Sequence, residues 1–106
     1  ICIRLCLEKY GDGNGKLQEK EGPALAEQML SELGFEKDVI ERVSFLVGHH
    51  HTYTGIDGLD YQILVEADFL VNLFEGNTDT AHIRATYDNI FRTETGKKIC
   101  REMFGL

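Results

Sequence analysis

A chain of 106 residues, 42% apolar and 27% charged, has the composition of one modest globular domain and not of a disordered segment. Its formal net charge of −7 excludes a broad nucleic-acid surface, which needs a basic stripe; small phosphorylated substrates stay open, because a bound metal supplies local positive charge. No stretch approaches the roughly 20 apolar residues of a membrane span, no signal peptide is visible, and three cysteines at no metal-ligand spacing point to a reducing compartment, so a cytoplasmic chain is expected.

The first turns, Ile1 to about Tyr10, read as the end of a helix already under way, without a cap or an initiating methionine, so upstream residues are expected. Cys2 and Cys6 share one face of it as small core side chains. Gly11-Asp12-Gly13-Asn14-Gly15-Lys16 is a polar loop that fails three motifs. A phosphate-cradling loop lacks its first Gly at Tyr10 and its Ser or Thr at Leu17, and a dinucleotide fingerprint lacks its third Gly at Lys16 or Gln18. A calcium loop starting at Asp12 meets Leu17 and Pro23 where Gly and Glu belong. Gly22-Pro23 then opens a helix, proline being harmless in a first turn. Ala26, Met29, Leu30 and Leu33 form its apolar stripe, and Gly34 closes it. The next helix, about Glu36 to Gly48, keeps Val39, Ile40, Val43, Leu46 and Val47 on a core face and ends on His49-His50-His51.

Thr52 to Gly58 is a polar connector. From about Asp60, as N-cap, to Glu75 runs the most buried helix, apolar nearly all round from Ile63 to Phe74. Asp68 and Asn72 stand out against it, one turn apart on one face. Gly76-Asn77-Thr78 breaks the chain, and a helix from about Asp79 to Phe91 turns Ile83, Tyr87, Ile90 and Phe91 inward. Thr93 to Gly96 leads into a last short helix carrying Ile99, Cys100, Met103 and Phe104. No strand alternation occurs, so the chain reads as all-α.

Adjacent histidines in mid-helix point about 100° apart and rarely serve one centre. At a helix end, beside Gly48, the backbone can turn both rings toward one place. A carboxylate in an apolar helix needs a partner, because burying it unpaired is costly. Imidazole nitrogen and carboxylate oxygen together suit a borderline divalent metal. His49, His50 and Asp68 are therefore the candidate metal ligands, expected to converge on one pocket. Asn72 is placed to orient Asp68, and His51 is the outlier, turned to solvent or to the Thr52–Gly55 loop. The plainer reading is a solvated helix end and an aspartate paired with an arginine.

These residues resemble the HD domain, an all-helical superfamily of metal-dependent phosphohydrolases. Its signature is a His, then a His-Asp pair, often a further His, a His or His-His, and a later Asp. The second half matches Val47-Gly48-His49-His50, the loop His51-Thr52-Tyr53-Thr54-Gly55, and the helix from Ile63 to Leu73 with Asp68 at the aspartate position. Gly22 to Leu30 is similar to the helix after the family's intermediate His, and the resemblance covers roughly Ile1 to Phe74. The His-Asp pair is absent: the chain begins with Ile1-Cys2 where the family commonly has Ile-Gly directly after that pair. Ile3, followed by Arg4, stands where a lysine is frequent. The intermediate His falls near Gln18, or at Glu21 under a shifted alignment.

The resemblance implies an HD-like helical bundle of five to six helices, a single domain over residues 1–106 lacking its N-terminal helices. It implies His49, His50 and Asp68 as metal ligands, with Glu21 as a weaker fourth. Arg4 is a phosphate partner by charge, as are Lys16, Lys20 and Arg84. One or two divalent transition-metal ions are implied, Mn, Fe, Co, Ni or Zn, which lower the pKa of bound water for hydrolysis of a nucleotide or other phosphorylated small molecule. On this reading a His-Asp pair precedes Ile1 in the whole protein, and these 106 residues alone are inactive. The alternative is a non-catalytic helical module for protein interaction or ligand sensing. Apolar faces left uncovered around Leu5, Leu64 and Phe69 predict a homo-oligomer.

Overall fold

The structure, a computed structural model, describes residues 2–106. The described residues form six helices and no strand: α1 (Ile3–Tyr10), α2 (Gly15–Glu32), α3 (Lys37–Val47), α4 (Leu59–Glu75), α5 (Thr80–Ile90) and α6 (Glu94–Phe104). None of them is long and apolar enough to cross a membrane. The chain divides into two compact units, Ile1–Thr52 and Tyr53–Leu106.

In the first unit α1 ends where Gly11, at φ 71°, donates its N–H to the Leu7 carbonyl. Cys2 and Cys6 are fully buried on its inner face, with the Cys6 thiol 3.9 Å from the Cys2 sulfur. The second helix starts well before Gly22-Pro23, correcting the expected boundary. Asn14, extended at φ −64° and ψ 164°, accepts from the Leu17 N–H at 3.0 Å and caps α2 there. Asp12 braces that cap by accepting from the Asn14 N–H and amide at 3.1 and 2.7 Å. Pro23 therefore lies inside the helix, where its missing N–H leaves the Glu19 carbonyl without its usual helical donor.

α2 packs on α3, and a methyl group added at Gly48 would come within 3.0 Å of the Pro23 ring. The expected apolar stripe of α2 is narrower than its spacing suggests: Ala26 is buried and Leu30 half-buried, whereas Met29 and Leu33 are exposed. Val39 of α3 is likewise exposed, while Ile40, Val43, Leu46 and Val47 are half-buried. Gly34, at φ 81°, follows α2 as expected, and Phe35 donates back to the Leu30 carbonyl.

In the second unit a core of Leu73, Ile83, Phe91 and Cys100 gathers side chains from α4, α5, α6 and their junctions, with Phe69, Leu70, Tyr87 and Phe104 around it. Gly58, not Asp60, occupies the cap position of α4; Asp60 sits in the first turn and accepts from the Tyr61 N–H at 2.8 Å. Helix α4 carries the buried Tyr61, Val65, Glu66 and Leu73, but it is not buried all round. Leu59, Ile63, Val71 and Phe74 are more than half exposed, at 68%, 52%, 52% and 70%. Leu5, Leu64 and Phe69 are half-buried. Asp79 and Thr93 cap α5 and α6 by accepting from the N–H groups of His82 and Gly96. In α6 Cys100 faces the core, and Ile99 and Met103 lie outward, at 39% and 44% exposure.

Candidate functional site

The last turn of α3 leaves carbonyls that no helical N–H can reach, since every helix end does. Two of them are taken by imidazoles. Nδ1 of His49 donates to the Phe45 carbonyl at 2.7 Å, and Nδ1 of His50 donates to the Val47 carbonyl at 2.9 Å. A carbonyl only accepts, so Nδ1 of each ring carries a proton, and the neutral tautomer this selects has its lone pair on Nε2. His49 also stacks on Phe45 at 4.1 Å between ring centroids, and the Arg42 guanidinium covers Phe45 at 5.1 Å. Adjacent histidines thus sit beyond the regular helix, each held by a different carbonyl, and both are half-buried.

His51 does not point to solvent or into the following loop, as the sequence suggested. Its ring lies against the start of α2, where a methyl group on Gly15 would come within 2.7 Å of its Cγ. Its Nε2 is 3.4 Å from the Gln18 side-chain oxygen, and its ring meets that of His50 at 4.1 Å. The reason is Glu19. Its Oε2 accepts from the His51 N–H at 3.0 Å and the Thr52 hydroxyl at 2.8 Å, while Oε1 accepts from the Lys16 ammonium at 3.1 Å. Burial pushes the Glu19 carboxyl up, but the Thr52, Lys16 and His51 donors outweigh it and hold it below the usual carboxylate range.

Asp68 belongs to the second unit, half-buried on α4, and Asn72 donates to its Oδ2 at 3.2 Å. The shared face expected from their spacing is present. Glu21 is drawn to α1: its Oε1 accepts from the Tyr10 hydroxyl and from the Lys9 ammonium at 3.0 Å. Those two bonds hold the carboxyl below its ordinary range. Arg4 pairs with Glu8 at 3.2 Å on the solvent face of α1, Lys20 lies over the Tyr10 ring, and Arg84 is exposed. Among the described residues, no group of three or more His, Cys, Asp or Glu side chains is gathered to hold a metal ion. In comparisons with protein-family models, with curated proteins and with solved structures, nothing matches this chain.

Two carboxylates were missed from the sequence, Glu19 and Glu66. The second is 2% exposed. It accepts from the Gln62 amide at 2.6 Å, the Arg92 and Thr93 N–H groups at 3.0 Å each, and the Thr93 hydroxyl at 2.6 Å. Burial raises its carboxyl, and these donors together bring it below the usual range. The signal was available: Glu66 stands two residues before Asp68 in the same apolar run, and the cost of an unpaired buried carboxylate applies to both. Glu66 also lines a groove of about 410 Å³, with Leu59, Ile63, Leu70, Thr95 and Ile99 among the other lining residues.

Proposed function

We propose that this chain is a metal-binding helical module of the HD phosphohydrolase type, serving hydrolysis of a nucleotide or another phosphorylated small molecule. One observation carries the reading: His49 and His50 both donate Nδ1–H to backbone carbonyls at the end of α3. Metal-bound histidines ordinarily have one ring nitrogen engaged in this way, which sets the tautomer and presents the other nitrogen to the ion. The donor chemistry fits Mn, Fe, Co, Ni or Zn. In this reading His49 and His50 would hold the ion through Nε2, and the bound ion would supply Lewis-acid chemistry, lowering the pKa of water and polarising a phosphoryl oxygen; Asp68, oriented by Asn72, is the carboxylate candidate of the second unit. Glu21 is the weaker candidate, because Lys9 and Tyr10 compete for its carboxylate.

The direct test is calorimetric titration of Co(II), Ni(II), Mn(II) and Zn(II) into the chain and into His49→Ala/His50→Ala and Asp68→Ala variants, alongside nucleotide and aryl phosphate hydrolysis by the whole protein. Binding lost in the double histidine variant and hydrolysis abolished by a chelator support the reading. Equal binding by wild type and the double histidine variant overturns it. A second reading, an interaction module that self-associates, is favoured by the exposure of Leu59, Ile63 and Phe74 along one side of α4. Concentration-dependent sedimentation abolished by Ile63→Glu is its expected result, and a monomer at all concentrations removes it.

A further inference from the structure

We infer that Glu19 is the positioning residue of the histidine turn: through His51 and Thr52 it sets the direction in which the His50 imidazole is presented. Its use in metal binding rests on the function proposed above; its geometry does not. Glu19 lies on α2 with its side chain only 9% exposed. Lys16 of its own helix is one donor, and the His51 N–H and the Thr52 hydroxyl reach it from the turn after α3. A buried carboxylate stripped of such donors is strongly disfavoured, so the turn and the carboxylate hold each other in place.

Three α2 residues close on the same spot. Gly15 gives the His51 ring room that any side chain would fill. Gln18 is braced by donating to the Gly13 carbonyl at 2.6 Å, and its oxygen faces His51 Nε2. Glu19 fixes the backbone. Thr52 closes the turn by donating its N–H to the His49 carbonyl at 2.8 Å. With His51 wedged this way and its ring against that of His50, the turn has little freedom to rotate the His50 ring away from the Val47 carbonyl. A merely structural carboxylate would support the fold without governing that ring.

Nitrogen-15 NMR of the imidazoles separates the two, read on wild type, Glu19→Gln, Thr52→Val and, as a control, Glu66→Gln in the other unit. The expected result is a single Nδ1–H tautomer for His50 in wild type and Glu66→Gln, and a mixture in Glu19→Gln and, to a smaller extent, in Thr52→Val. Co(II) affinity should fall about tenfold in Glu19→Gln, as for other residues that orient a ligand, and stay at the wild-type value in Glu66→Gln. If Glu19→Gln does not fold, Thr52→Val carries the test alone. A His50 tautomer that is the same in every folded variant overturns the inference. A tautomer that moves, with Co(II) binding indifferent to His49→Ala/His50→Ala, upholds the positioning role and removes the metal reading instead.

Discussion

Glu66 shows what a carboxylate must be given to stay ionised inside a protein. Four donors converge on it, two of them backbone N–H groups of the α5–α6 junction. Its folded-state pKa lies below the unfolded value, so its contribution is complete above the unfolded carboxyl range and is lost as pH falls through the folded pKa. Glu66→Gln should cost roughly 2 kcal/mol at neutral pH, because an amide turns donors toward donors. The deficit should shrink as the pH falls from the ordinary carboxyl range toward the lower folded pKa, where the wild-type carboxyl also protonates. Urea unfolding at several pH values checks this, and a deficit constant with pH would refute the ionised clamp. The sequence shows that α4 holds acidic residues in an apolar run, but not which one is buried. Asp68 and Glu66 differ by two positions, or 200° around the helix, and only the packing of the α5–α6 junction, invisible in a local pattern, selects Glu66.

At the scale of elements, the number and type of helices follow from periodicity, whereas their starts follow from capping. Gly22-Pro23 carries the local signature of a helix start, yet α2 begins at Gly15 because Asn14 caps it and Asp12 braces Asn14. Pro23 lies in the interior of that helix, close to Gly48. This is why Gln18, Glu19 and Glu21 are helical and their side chains lie at helical spacing. Asn14→Ala should therefore lower stability by about 1 kcal/mol, measured as a shift of the urea midpoint with an unchanged slope. The junction into α6 is less forgiving. A methyl group at Gly96 would stand 1.9 Å from Glu66 Oε1 and 2.7 Å from the Thr93 hydroxyl oxygen. Gly96→Ala should thus expel the carboxylate and cost about 3 kcal/mol or more, although alanine is the better helix former. A neutral or stabilising Gly96→Ala would mean that the clamp is dispensable.

At the scale of the whole molecule, the candidate ligands fall in different units: His49 and His50 stand in Ile1–Thr52, Asp68 in Tyr53–Leu106. The sequence marks these residues by type and spacing, but a ligand set is a property of three-dimensional placement, which no local pattern contains. The proposed site makes a thermodynamic demand that each unit can report separately. An ion that binds only the folded chain adds about 2.7 kcal/mol of stability at 100 times its dissociation constant. The histidine pair lies wholly in the first unit, so that gain should protect the backbone amides of α2 and α3 against hydrogen exchange. The expected outcome with Co(II) is protection there in the wild-type protein and none in His49→Ala/His50→Ala. Amides of α2 and α3 that exchange equally fast with and without Co(II) would remove the histidine pair as a metal site.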